Sequence, residues 1–132
     1  MRGCTSISIS RRAIEHIARL SSSSGWEQVG FLLGTNCRAV LVFPLRNTSS
    51  SPYEFTADPL DVISAHNLAE ALGLQVLALY HTHPFGGATP SQKDVQGMGL
   101  WPIPWLIVSP SGARAWALVN GELVEVPLDV VP

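Results

Sequence analysis

The stretch His81-Thr82-His83-Pro84-Phe85-Gly86-Gly87-Ala88-Thr89-Pro90-Ser91-Gln92-Lys93-Asp94 follows directly on the apolar run Val76-Leu77-Ala78-Leu79-Tyr80. Five consecutive apolar residues leave no solvated face, so the run reads as a buried strand. Side chains alternate along a strand, which puts His81 and His83 on one side and Thr82 on the other. Two imidazoles at a strand end and one carboxylate form a three-ligand set with a fourth position open. That composition suits a hydrolytic zinc site rather than a closed structural one. Ser91 to Asp94 reads as a helix start, with Ser91 as N-cap and Asp94 at N3. A cap does not exclude the chemistry, because it fixes where the helix begins and holds Asp94 still.

Working outward, Val29 to Leu33 and Val40 to Leu45 are expected as strands on the N-terminal side. Gly30 and Gly34 punctuate the first, and glycine in a strand marks close approach of another segment. Asp58-Pro59 is an N-cap followed by proline at N1, opening a helix that ends at Gly73. Its buried side is expected to carry Leu60, Ile63, Leu68, Ala71 and Leu72. Thr48 to Pro52 reads as a polar loop. Cys4 to Ile9 alternates like a strand, and Ser10 caps a helix from Arg11 to about Ser22 with the stripe Ala13, Ile14, Ile17 and Leu20. His16 is expected on the solvated face, and His66 at or near a helix surface.

Downstream, a short helix is expected to about Met98. Trp101-Pro102-Ile103-Pro104 cannot be regular structure. Trp105 to Ser109, Ala113 to Val119 and Leu123 to Val126 read as strands, the last two joined by an Asn120-Gly121 hairpin turn. The tryptophans are expected in the core rather than along a groove. Strands flank helices without strict alternation, which predicts α+β with a mixed, largely antiparallel sheet in a single domain over residues 1–132.

Composition narrows the function. Apolar residues make up 46% and charged residues 14% of 132, so the chain has the means to bury a core. A net charge of −2, a single lysine (Lys93) and scattered arginines leave no basic patch for nucleic acid. No apolar run approaches membrane-span length, and Met1 to Ile9 lacks the apolar core of a signal peptide. Cys4 and Cys37, 33 positions apart, are expected as free thiols in a reducing compartment. The expected location is the cytoplasm. Oligomeric state stays open.

His81-x-His83-Pro84 and Ser91-x-x-Asp94, with seven residues between His83 and Ser91, together resemble the signature of the JAMM (MPN+) zinc metalloproteases. Glu27-Gln28-Val29-Gly30-Phe31-Leu32-Leu33-Gly34 is similar to that family's Glu-x-x-Gly-x-Leu-x-Gly setting, and Phe55 to Pro59 to its segment before the second helix. The resembling motifs run from Glu27 to Asp94, 68 residues. The resemblance implies an MPN fold with a cytidine-deaminase-like arrangement, and zinc held by His81, His83 and Asp94. Spacing alone leaves Glu15, Glu27, Glu54 and Glu70 open as the general acid/base, and the resemblance selects Glu27. It also implies that Ser91 stabilises the oxyanion, although Ser91 reads equally as a helix cap alone. The implied activity is an isopeptidase or peptidase acting after the Gly-Gly tail of a ubiquitin-like protein. Trimming of a small sulfur-carrier protein is the second reading, and a scaffold module without catalysis the third. The loop Pro84 to Pro90 lacks the cysteine and aromatic that eukaryotic members place before the serine, so the resemblance is to compact prokaryotic members.

Overall fold

A computed structural model describes residues 4–51 and 53–132. The readings of Met1 to Gly3 and of Pro52 fall outside the described residues. In chain order the elements are β1 (Ile7–Ser10), α1 (Arg11–Ser24), β2 (Val29–Thr35), β3 (Arg38–Leu45), α2 (Pro59–Leu72), β4 (Gln75–Thr82), α3 (Gln92–Leu100), β5 (Trp105–Ser109), β6 (Gly112–Val119), β7 (Glu122–Val126) and β8 (Leu128–Val131). Eight strands form one sheet in the order β7-β6-β5-β4-β2-β3-β1-β8. Antiparallel pairs link β2 to β3 and β4, and β6 to β5 and β7. Parallel pairs link β4 to β5 and β1 to both β3 and β8. The fold is therefore α+β on a mixed sheet.

The two faces of the sheet carry separate cores. On one, Ile7, Ile9, Leu32, Ala78, Tyr80 and Leu106 pack under α1 through Ile17. On the other, Phe31, Leu33, Leu79, Trp105 and Ile107 pack under α2 and α3 through Ala65, Ala69 and Met98. Strand alternation then puts His81 on the α2/α3 face, two residues beyond Leu79.

Local signals set the helix ends. Ser10 Oγ accepts from Ala13 N–H at 3.1 Å to start α1, and Asp58 Oδ1 accepts from Leu60 N–H at 2.9 Å to start α2. Gly73, at φ 69°, ends α2 in the left-handed region. The expected buried side of α2 is corrected: Leu60, Ile63, Ala71 and Leu72 are exposed and Leu68 is half-buried, while Ala65 and Ala69 are buried. Apolar residues lie all round this helix, and its small side chains let it sit close on the sheet. Gly30 answers the close-approach reading, since a Cβ there would run into the Tyr80 ring.

The expectation of free thiols is overturned, because Cys4 and Cys37 form a disulfide with Cα atoms 5.6 Å apart. Asn36 and Cys37, at φ 51° and 58°, form the two-residue turn between β2 and β3. Ser8 N–H donates to the Cys37 carbonyl at 2.9 Å, which brings the tip of that turn beside the chain entering β1. Strand β8 was not expected, because Pro127 interrupts the local pattern and its partner is the distant β1.

Candidate active site

The β2–β4 register pairs Val29 with His81, so the residues two steps further, Glu27 and His83, face each other at the same end of the sheet. Thr82 ties the two strands there: its N–H donates to the Gln28 carbonyl at 3.0 Å and its Oγ1 accepts from Gln28 N–H at 2.8 Å. His83 N–H donates across to the Val108 carbonyl of β5 at 2.9 Å. Two histidines and a glutamate are thus set on adjoining backbone ladders, not on a free loop.

The carboxylate of Asp94 arrives from α3. Ser91 and Asp94 form the anticipated capping box: Asp94 N–H donates to Ser91 Oγ at 3.1 Å, and Ser91 N–H donates to Asp94 Oδ2 at 2.9 Å. The same Oδ2 lies 2.9 Å from His83 Nε2, and Oδ1 lies 3.2 Å from His81 Nε2. Glu27 Oε1 lies 3.5 Å from His81 Nδ1. Glu27, His81 and His83 each offer one ligand atom within 4.8 Å of the others. Sequence-predicted Glu27, His81, His83, Ser91 and Asp94 are therefore gathered in one place. Glu15 is exposed on α1, Glu70 is exposed on α2, and Glu54 pairs with Lys93.

His81 is fully buried, with Phe55 at 5.0 Å and Trp105 at 5.5 Å between ring centroids. Burial would lower its pKa, but the carboxylates of Asp94 and Glu27 outweigh that and raise it to about 9. Burial opposes ionisation of Asp94 as well, yet the two rings and the Ser91 N–H hold it well below the usual carboxylate range. His83 is likewise raised, burial being outweighed by Asp94 and by the Gly87 carbonyl.

These donors suit a metal ion. Neither His81 ring nitrogen has a well-formed hydrogen bond among the described residues, although both are fully buried. An orphaned buried imidazole between two carboxylates is costly unless something else engages it. His83 Nδ1–H donates to the Gly87 carbonyl at 2.8 Å, which leaves the Nε2 lone pair of the neutral ring for a ligand role. Glu27, His81 and His83 bring their ligand atoms together, and Asp94 contacts both rings, so all four groups lie within reach of one centre.

Space for a substrate adjoins this centre. A cavity of about 220 Å³ is lined by Glu27, Tyr53, His83, Pro84, Phe85 and Ser91. A second, of about 440 Å³, shares Tyr53 and is walled by Phe55, Asp94, Gly97, Trp101 and Trp105. Trp105 is core and groove wall at once, being 1% exposed. The loop before Ser91 is anchored where Trp116 Nε1–H donates to the Ala88 carbonyl at 2.8 Å.

A family model described as prokaryotic homologs of the JAB domain matches residues 11–119. The chain belongs to this family. A desampylase from Pyrococcus furiosus is 39% identical over 111 residues, covering 83% of this chain and 79% of the relative. A probable TtuB-protein conjugate cleaving protease from Thermus thermophilus is 40% identical over 84 residues, covering 63% of this chain and 56% of that protein. The crystal structure of a JAB1/MPN domain protein from Archaeoglobus fulgidus superposes with a TM-score of 0.62 at 20% identity, covering 93% of this chain and 99% of the other. The fold of this JAB-family chain is thus the JAB1/MPN fold. No helix among its described residues is long and apolar enough to cross a membrane.

Several residues at the site carried no signal of their own in the sequence. Tyr53 and Phe85, 71% and 65% exposed, face each other at 6.2 Å between centroids across the smaller cavity. Phe85 falls in the loop Pro84 to Pro90, and Tyr53 lies just past the loop Thr48 to Pro52. Asn47, just past the expected strand Val40 to Leu45, carries no motif either.

Proposed function

We propose that this chain is a zinc-dependent isopeptidase that cleaves after the C-terminal Gly-Gly tail of a ubiquitin-like protein, and that residues 1–132 act as one MPN domain. The observation that carries the reading is the convergence of Glu27 ahead of β2, His81 and His83 at the end of β4, and Asp94 of α3 beside a cavity that Ser91 also lines. Membership of the prokaryotic JAB family and the names of two relatives, a desampylase and a TtuB-protein conjugate cleaving protease, support the same chemistry. A complete donor set argues against a scaffold role.

His81, His83 and Asp94 would hold the metal. Zinc bound there supplies Lewis acidity for attack by water on an amide carbonyl. Glu27 takes the proton of the attacking water and passes it to the departing lysine amine. Ser91 Oγ already accepts from Asp94 N–H, and its own O–H stays available to donate to the carbonyl oxygen as charge develops there. The burial of His81 among Phe55 and Trp105 keeps bulk water from weakening these interactions.

The tail is expected to lie extended, pairing through its backbone with chain beside the cavity. The Tyr53 and Phe85 rings narrow the approach, which favours glycine over a bulky terminal residue. Low overall charge suggests recognition through backbone pairing and apolar contacts. We place the enzyme in the cytoplasm.

Two measurements test this reading. Metal analysis of the purified protein should find one zinc per chain, and E27Q should retain it while losing about 10²–10⁴-fold in turnover. Alanine at His81, His83 or Asp94 should release the metal. The zinc-loaded protein is then incubated with a Gly-Gly-tailed ubiquitin-like protein joined either to lysine or to a C-terminal cysteine, and the products are weighed. Release from lysine supports the isopeptidase, and release of cysteine alone supports processing of a sulfur-carrier protein. Cleavage of unstructured peptides lacking the tail would overturn both.

A further inference from the structure

Glu27 stands at the entrance to β2, and the peptide plane that follows it is gripped by two side chains. The Gln28 N–H of that plane donates to Thr82 Oγ1 at 2.8 Å, and the Glu27 carbonyl accepts from Asn47 Nδ2 at 2.9 Å. Asn47 does more than this. Its Nδ2 also donates to the Glu54 carbonyl at 3.3 Å, and its Oδ1 accepts from Ser49 N–H and Thr56 N–H, both at 2.9 Å. Two carbonyls face the amide nitrogen and two N–H groups face the oxygen, so only one orientation of the side chain satisfies all four.

The segment held in this way is part of the wall of the substrate cavity. Glu54, Phe55, Thr56 and Ala57 line the larger cavity, and Phe55 packs against the His81 ring. Around Asn47 the segment closes on itself: Thr48 N–H donates to the Thr56 carbonyl at 2.8 Å, and Asp58 N–H to the Arg46 carbonyl at 2.9 Å. One side chain therefore bridges the groove wall and the backbone of the proposed base.

We infer that Asn47 is a positioning residue for this reaction. Its amide fixes the Glu27–Gln28 peptide plane, and so the direction of the Glu27 side chain, relative to the wall on which the substrate tail lies. Asn47 touches none of the proposed metal ligands, so its effect is on turnover and not on metal retention. The inference rests on the assignment of Glu27 as the general acid/base.

The test is a double-mutant cycle on the zinc-loaded protein, with the lysine-linked Gly-Gly conjugate as substrate. N47A removes all four bonds. N47D keeps the acceptor bonds to Ser49 and Thr56 and removes the donor bonds to Glu27 and Glu54. Loss of alignment at a reacting group costs about 10–100-fold. Both variants should lose about that much in kcat, with KM within about twofold and zinc content unchanged. In the E27Q background, N47A should cost less than about twofold. A rise in KM alone, an equal loss of kcat in both backgrounds, loss of zinc, or full activity of N47D would each overturn the inference while leaving Glu27 as the base. Should N47A fail to fold, the N47D pair completes the cycle alone. Near-wild-type turnover of E27Q by itself overturns the base assignment, and this inference with it.

Discussion

His81 is where burial and charge compete most directly. Its pKa in the folded, metal-free protein is raised from 6.5 to about 9 by Asp94 and Glu27. A raised folded pKa contributes stability that is fully present below about pH 6.5 and is lost as pH rises through about 9. The metal-free protein should therefore melt lower at pH 10 than at pH 6.5, and H81Q should flatten that dependence. Metal binding has the opposite sign, because it requires the neutral ring. Protons should compete from about pH 9 downward, well above the onset expected for an unperturbed histidine. Calorimetry in buffers of different ionisation enthalpy should show proton release on zinc uptake at pH 7.5. The gathering of His81, His83, Ser91 and Asp94 was legible in the sequence because His81-x-His83 and Ser91-x-x-Asp94 are local patterns. The raised pKa was not, since it depends on Glu27, which only folding brings to His81.

At the scale of elements, β2 shows what a local pattern reveals and what it hides. Gly30 and Gly34 were readable as points of close approach, and Tyr80 is what fills the space over Gly30. Tyr80 is itself 1% exposed and cannot swing away. G30A should thus destabilise the protein by about 1–3 kcal/mol, seen as a lower urea midpoint with an unchanged slope. An unchanged midpoint would mean that the ring relaxes freely. Helix α2 was legible in its ends, through Asp58-Pro59 and Gly73, but not in its facing. Leu60, Ile63 and Leu72 look like core residues in a sequence, yet Ala65 and Ala69 meet the sheet. Strand β8 was hidden for a different reason, since parallel pairing with β1 leaves no mark on the residues between Leu128 and Val131.

Across the whole molecule, the Cys4–Cys37 disulfide and the proposed centre sit at opposite ends of β2, roughly 25–30 Å apart at strand rise. Closing a loop across 33 positions stabilises by ~3–4 kcal/mol in the chain-entropy model. Reduction should lower the melting temperature by roughly 10 °C while leaving zinc content and cleavage at 25 °C intact. Loss of zinc on reduction would show that the two ends are coupled. Tertiary adjacency of this kind escapes a sequence reading, because neither cysteine has a local partner and the bridge depends on where the Asn36-Cys37 turn comes to rest.

Asp94 Oδ2 serves two masters, accepting from the N–H of the residue that caps α3 while contacting the ring of His83. With Asp94 as the proposed metal ligand, any opening of the first turn of α3 gives up that ligand, so occupancy of the centre and closure of the helix become one equilibrium. Backbone hydrogen exchange turns this into a reporter that needs no substrate. The Val95 amide, which donates to the Ser91 carbonyl, should exchange about 100-fold more slowly with zinc at 100 times its dissociation constant. Amides of the Asn120-Gly121 hairpin, remote from the centre, should not respond. The start of α3 is in this sense the protein's own gauge of metal loading, readable amide by amide before any conjugate is cut.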